Sequence, residues 1–242
     1  MNESVLFVWL KRMKRFLYAL PYYGTGKWCP VCETESRRFR SFGSPSRTEA
    51  QCAHCDALER HRFLWLYFFE KTDLFDGNKK KTLHLAPELC FEDRLRERLG
   101  SCYLTADLEN PRAMVKVDVT DIQYPDQSFD VIYCGHVLEH VPDDRRAIRE
   151  FYRILKKDGW AILTVPITAK VTFEDLSIID PHERLKVFGH EGHVRRYGID
   201  YVDRLSEAGF KTLTVKASDL YEAEDVVRMG LSAAGEIFYC TK

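Results

Sequence analysis

From Thr82 onward the chain alternates short apolar runs with stretches of helical periodicity, and this constrains the fold more than any other feature. Thr82–Ala86, Ser101–Asp107, Ala113–Val119, Phe129–Cys134, Trp160–Val165, Lys211–Lys216 and Glu236–Cys240 read as seven strands. Helical stretches fill three of the six intervals: Glu88–Leu99, a segment with Ala147, Ile148, Phe151, Ile154 and Leu155 on one face, and Tyr201–Ala208. Trp160–Val165 is apolar throughout, as a strand buried on both faces is. The alternation predicts an α/β fold, a doubly wound and mostly parallel sheet with helices on both sides.

Such a sheet binds ligands beyond the carboxyl ends of its strands, near the point where strand order reverses. That rule selects residues by position. Leu85, Ala86, Pro87 and Glu88 form the first strand-to-helix loop, Asp107 and Leu108 end the second strand, and Asp118 lies towards the end of the third. His136 to His140 follow the fourth. A carboxylate about twenty residues beyond the first loop suits a ribose diol, and Asp107 lies at that distance from Glu88. No GxGxxG follows the first strand and no GxxxxGK[ST] occurs, which excludes a nicotinamide dinucleotide cradle and a P-loop.

A smaller module precedes the sheet. Cys29-Pro-Val-Cys32 and Cys52-Ala-His-Cys55 are separated by nineteen residues, which is zinc-ribbon spacing. Each pair presents two sulfurs on one side of a knuckle, so Cys29, Cys32, Cys52 and Cys55 are expected to close a tetrahedral, structural zinc site. His54 reads as a bystander. Residues 1–65 carry eleven Lys/Arg against six Asp/Glu, although the whole chain has a net charge of −1. Arg37, Arg38, Arg40 and Arg47, with Phe39 and Phe42, make the ribbon either an RNA-binding face or a solvated hairpin.

Ahead of the ribbon, Leu6, Trp9, Leu10, Met13, Leu17 and Leu20 recur on one helical face, opposite Lys11, Arg12 and Arg15. Such a helix either packs on its own domain or makes a weak membrane-surface contact. Its basic residues follow the apolar run, unlike a signal peptide, and no run approaches the ~20 apolar residues of a membrane span. The expectation is a cytoplasmic protein, peripheral at the inner membrane face if the helix binds lipid, with eight cysteines reduced. Expected boundaries are 1–27 for the helix and linker, 28–76 for the ribbon and following helix, and 77–242 for the sheet domain. The junction is the polar turn Asp76–Lys81.

The run from Asp118 to Val141, containing SFDVIYCGHVLEH, resembles the central block of class I S-adenosylmethionine-dependent methyltransferases. Arg149–Gly159 resembles the helix ending of the same family, and CPVC…CAHC…LERHR resembles the zinc-ribbon extension of one bacterial branch. The resemblance covers about residues 82–240. It implies a Rossmann-like sheet and S-adenosyl-L-methionine as cofactor. It also implies ribose binding by Asp107, the adenine amino group at Asp118 with Val119 and Thr120 beside the ring, and His136 where cofactor meets acceptor. The departure is the first loop, HLAPE, which has no glycine and in which Pro87 lacks an N–H donor.

Methyl transfer is an in-line displacement in which positioning contributes heavily, and an acceptor hydroxyl or amine needs a base within reach. The candidates are His136, Glu139 and His140, and in the long insertion 168–197 the residues His182, Arg184, His190, His193, Arg195 and Tyr197. His136, His140 and His193 are the catalytic choices. His190 and His193 have ligand spacing but no evident third partner, so substrate contacts or a loop lock are the expectation for the insertion. The insertion is long enough for a lid over the acceptor. Two functions stay open: a methyltransferase acting on a small-molecule or glycan-type acceptor, and a zinc-ribbon RNA-binding protein with or without methylation activity.

Overall fold

The computed structural model describes Met13 and residues 16–242. Residues 16–19 are helical and run into a 3-10 turn, Leu20–Tyr22, with Pro21 inside it. Apart from Met13, which is helical and exposed, the rest of the expected amphipathic helix lies outside the described residues. Leu17 and Leu20, from its apolar stripe, are exposed. Among the described residues no helix is long and apolar enough to cross a membrane.

The chain divides into two compact units, residues 1–73 with 216–235, and residues 74–215 with 236–242. The sequence reading placed 216–235 inside the larger domain, and the structure assigns it to the N-terminal unit. The reason is a buried cation that short-range patterns do not show.

In the first unit, strands β1 (Tyr23–Cys29) and β2 (Thr34–Ser36) form one antiparallel hairpin, and β3 (Arg40–Phe42) and β4 (Arg47–Gln51) form another. Helix α1 (Glu59–Lys71) follows, with Phe63, Leu64, Trp65, Leu66, Tyr67 and Phe68 all buried. Arg62, fully buried on α1, stacks on Phe39 with its guanidinium carbon 4.1 Å from the ring centroid. Its Nη1 donates to the carbonyls of Ala50 (3.0 Å) and Ala57 (2.8 Å). Nε and Nη2 donate to Met229 and Gly230, both at 2.7 Å, and so fasten residues 216–235 to the ribbon. Burial of a guanidinium is tolerated only with this degree of satisfaction.

In the second unit, seven strands form one sheet: β5 (Thr82–Leu85), β6 (Tyr103–Asp107), β7 (Val115–Lys116), β8 (Phe129–Gly135), β9 (Leu155–Thr164), β12 (Lys211–Lys216) and β13 (Glu236–Thr241). Their spatial order is β12-β13-β9-β8-β5-β6-β7. β7, β6, β5, β8 and β9 are mutually parallel, and β13 runs antiparallel to β9. The sheet is the expected Rossmann-like one. Its order reverses at β5, which lies between β6 and β8. Helix α2 (Leu89–Leu99) buries Cys90, Phe91 and Leu95. Helix α3 (Asp144–Ile154), capped by Asp143 accepting from the Arg146 amide, buries Ala147, Ile148, Phe151 and Ile154.

Two boundaries depart from the sequence reading. The third strand shrinks to Val115–Lys116, because it is an edge strand paired only with β6. The fifth begins at Leu155, not Trp160: Leu155 pairs with Phe129 and Trp160 with Val131, so Lys156–Gly159 bulges out between paired positions. The basic residues expected to finish a helix belong to this bulge. The insertion contains β10 (Phe173–Glu174) and β11 (Arg195–Arg196), which pair antiparallel. Between them, α4 (Pro181–Phe188) starts with Asp180 accepting from the Glu183 amide and stops at Gly189. The last helix of the unit is α5 (Tyr201–Glu207).

Candidate functional site

The register of the central strands brings their ends together. Leu85 pairs with both Ala106 and Cys134, so Ala86, Asp107 and Gly135 come abreast just beyond the sheet. A cavity of ≈650 Å³ opens there. Of the expected site residues, Leu85, Ala86, Asp107, Leu108, Asp118, Val119, Thr120, His136 and His140 line it. Pro87, Glu88 and His193 do not.

Two backbone positions in this wall have left-handed φ values without being glycine: Ala86 at 50° and His136 at 56°. The conformation is uncommon for an L-residue and costs on the order of 1–3 kcal/mol. Parallel hydrogen bonds hold both, from the Ala86 amide to Ala106 O (2.9 Å) and from the His136 amide to Thr164 O (2.9 Å). The loop HLAPE thus takes the turn for which glycine is usually needed, using alanine.

Glu88 turns away from the cavity into a network that sequence reasoning missed. Its Oε2 accepts from His84 Nε2 (2.6 Å), whose Nδ1 accepts from the Tyr103 hydroxyl (2.7 Å), and its Oε1 accepts from the Tyr133 hydroxyl (2.5 Å). Burial raises the Tyr103 phenol well above its usual range. A Cβ on Gly135 would lie 2.5 Å from the Tyr133 hydroxyl, so this network is why that position has no side chain. The only sequence signal was four-residue spacing between His84 and Glu88, which is unremarkable across a loop.

Asp107 Oδ1 accepts from the amides of Glu109 and Asn110, both at 2.8 Å. Asp118 Oδ1 accepts from the Thr120 amide and hydroxyl, also at 2.8 Å, and these bonds hold its carboxyl below the usual carboxylate range. Each carboxylate is thereby oriented through one oxygen. His136 Nδ1 lies 3.1 Å from Glu139 Oε1. Glu139 is buried, and its Oε2 has no hydrogen-bond partner among the described residues. Burial pushes its carboxyl up, but the His136 hydrogen bond and charge outweigh that and leave it lowered.

Arg195 and Tyr197, expected either to contact substrate or to lock the loop, are buried and clamp it. Arg195 Nη1 donates to Leu138 O (2.6 Å) and Val141 O (2.5 Å), Nη2 to Pro142 O (2.8 Å) and Nε to Glu174 (2.9 Å). The Tyr197 hydroxyl donates to Asp144 (2.6 Å), which also accepts from Arg204. The insertion is therefore locked to the segment after β8. His193 sits in it partly buried, and burial lowers its pKa to about 4.

In the first unit the four cysteines converge, with all four sulfurs within 4.8 Å of one another. Cys29–Cys55 and Cys32–Cys52 sulfurs are 3.6 and 3.7 Å apart. A Zn–S bond of about 2.3 Å in a tetrahedron implies edges of about 3.8 Å, so the donor set fits zinc. The two knuckles share one geometry. Glu33 (φ 55°) and Asp56 (φ 61°) donate their amides back to the Cys29 and Cys52 carbonyls. The arginines proposed for RNA are engaged within the unit: Arg37 with the Tyr23 carbonyl, Arg40 with Asp56 and Gln51, Arg47 with Glu59, and Arg38 over the Tyr22 ring.

Residues 96–163 match the family model described as a methyltransferase domain. The matched stretch runs from the end of α2 to β9 and includes Asp107, Asp118, His136 and His140. A rice (Oryza sativa subsp. japonica) 2-methyl-6-phytyl-1,4-hydroquinone methyltransferase is 28% identical over 107 residues, 43% of this chain and 28% of the relative. A demethylmenaquinone methyltransferase of Lactobacillus johnsonii is 45% identical over 42 residues, 17% of each chain. The chain thus spans less than a third of the length of these curated relatives. A crystal structure of an S-adenosylmethionine-dependent methyltransferase from Mesorhizobium loti superposes with a TM-score of 0.49 at 15% identity, covering 68% of this chain and 92% of that one.

Proposed function

We propose that the second unit is an S-adenosylmethionine-dependent methyltransferase acting on a small-molecule acceptor. The observation that carries this reading is the ≈650 Å³ cavity at the reversal point of the sheet, with Asp107 and Asp118 on its wall, inside a segment that matches a methyltransferase family model. Asp107 would hold the ribose hydroxyls, and Asp118, Val119 and Thr120 the adenine. The left-handed Ala86 supports close approach of the first loop despite its lack of glycine. The bound cofactor supplies a sulfonium methyl for in-line transfer. This chain's residues supply orientation, with His136 and His140 at the cavity wall and Glu139 behind His136 as candidates to hold the acceptor's proton.

A small-molecule acceptor is favoured over RNA for two reasons. The curated relatives are named for a hydroquinone and for demethylmenaquinone. In addition, Arg40 and Arg47 are paired with Asp56 and Glu59, which lowers the positive charge free to meet phosphate. The four cysteines would hold one structural zinc ion, leaving no open coordination position.

The test is calorimetry with S-adenosylhomocysteine, followed by transfer of labelled methyl from S-adenosylmethionine to hydroquinone-type acceptors. Saturable 1:1 binding is expected. Absence of both heat and thermal shift would overturn the reading.

A further inference from the structure

We propose that His140, His190 and His193 form a second metal site, for one divalent first-row transition ion such as zinc, separate from the four cysteines. The sequence offers only a pair, His190 and His193. The third imidazole comes from the segment after β8, about fifty residues away, and one nitrogen from each ring lies within 4.8 Å of the others. The ring centroids are 4.7 Å (His140–His193), 4.7 Å (His190–His193) and 5.4 Å (His140–His190) apart.

Gly192 makes this gathering feasible. A Cβ there would stand 2.9 Å from His140 Nδ1 and 3.4 Å from His190 Nδ1, filling the space the rings share. The Gly192 carbonyl accepts from His140 Nδ1 at 3.1 Å, which leaves the Nε2 lone pair bare. A backbone carbonyl orienting the second ring nitrogen is the usual support of a metal-binding histidine. The Gly192 amide donates to His190 Nδ1 at 3.0 Å, and the ion would take over that lone pair in exchange for this single bond.

The two segments are held in place. The Val194 amide donates to the Glu139 carbonyl at 2.9 Å, and Arg195 fastens the next residue to the carbonyls of Leu138, Val141 and Pro142. Zinc at about 2.0–2.1 Å from each nitrogen needs nitrogens about 3.4 Å apart, so the donors must close by on the order of an ångström. His140 and His190 are exposed and can rotate that far. The neighbouring Glu139, a buried carboxylate with one unpartnered oxygen, places a carboxylate beside the three imidazoles, which favours a cation.

Three nitrogens leave a coordination position open. Because His140 lines the ≈650 Å³ cavity, the ion stands at its rim, where an oxygen of the acceptor can reach it. That use of the site rests on the proposed methyltransferase reading and makes His140 a ligand, leaving the acceptor's proton to His136, whereas metal binding does not rest on that reading.

The experiment uses the full chain with the cysteine site already zinc-loaded. Cobalt(II) is titrated with visible spectroscopy and zinc with calorimetry, and S-adenosylhomocysteine is titrated on the same samples. Expected is one further equivalent of metal, with cobalt d–d absorption and no thiolate charge-transfer band. It should be lost in His190→Ala and in His140→Gln, both exposed and checked for folding by circular dichroism. Gly192→Ala should weaken it about tenfold or more. No second equivalent, or variants that bind it as tightly as the parent, would overturn the site. If S-adenosylhomocysteine binds without a second metal, the metal proposal fails and the proposed function stands. The reverse pattern supports the metal site and defeats the functional reading.

Discussion

Replacing Asp107 by alanine should weaken S-adenosylhomocysteine binding while leaving the fold in place. Oδ1 of Asp107 is occupied by the Glu109 and Asn110 amides, so the ribose diol would lean mainly on Oδ2 and on the charge of the whole carboxylate. A hydrogen bond to an ionised group is worth about 1.5–3 kcal/mol. Its loss corresponds to a roughly ten- to hundredfold weaker Kd. Asp107→Asn separates the two jobs of this side chain. Its amide oxygen still accepts from Glu109 and Asn110, so the turn survives, while the charge is gone; a loss of about 1–2 kcal/mol is expected. Calorimetry on parent, Asp107→Asn and Asp107→Ala, with circular dichroism on each, gives the series. Equal affinity of Asp107→Ala and parent would refute the assignment of the second strand end and the cofactor pose built on it.

Three further outcomes follow from the packing. In a His190→Ala background, which removes the proposed histidine site, one zinc per chain should be found by elemental analysis, and adding Cys29→Ser with Cys52→Ser should lose it and expose apolar surface, since metal binding and folding are coupled; stoichiometric zinc in that combined variant would contradict the four-thiolate site. Arg62→Met should destabilise the first unit by about 3–5 kcal/mol in urea, because four buried carbonyls lose the guanidinium at once, Ala57 alone keeping the Cys52 amide among the backbone bonds outside helices and strands, and such losses are not additive; a change below ~1 kcal/mol would mean water replaces the guanidinium. Glu174 is partly buried, and its ion pairs with Arg204 and Arg195 outweigh burial and lower its pKa. A carboxyl lowered in the folded state stabilises above its unfolded pKa, about 4.3, and that contribution is lost as pH falls through the lower folded value. Glu174→Gln should therefore flatten the fall of Tm with acid below about pH 5, and parallel curves for variant and parent would disprove the linkage.

Much of the architecture was legible in the chain because it depends on periodicity. The seven strands, α3 with its apolar face, and the two CxxC knuckles are each set by neighbours within about ten residues. Strand ends are legible in the same way, and Asp107, Asp118, His136 and His140, expected near them as cofactor or catalytic residues, line the cavity. Boundaries failed where a partner strand decides them, as at Val115–Lys116 on the sheet edge and the bulge of Lys156–Gly159.

The sequence by itself determined local conformation and the positions where chemistry could reside; the tertiary structure decided what those side chains touch. Glu88 looked like a cofactor contact and is bonded to His84 and Tyr133, and Arg195, open between substrate contact and loop lock, clamps three carbonyls. Arg62, one basic residue among many in the text of the chain, binds Met229 and Gly230 and so reassigns 216–235 to the other unit. His190 and His193 formed a pair until folding delivered His140. A charged or polar side chain takes its role from partners that satisfy it when water is withdrawn, and those partners arrive from distant segments. Patterns along the chain record which residues leave water, whereas only the folded contacts record what replaces it.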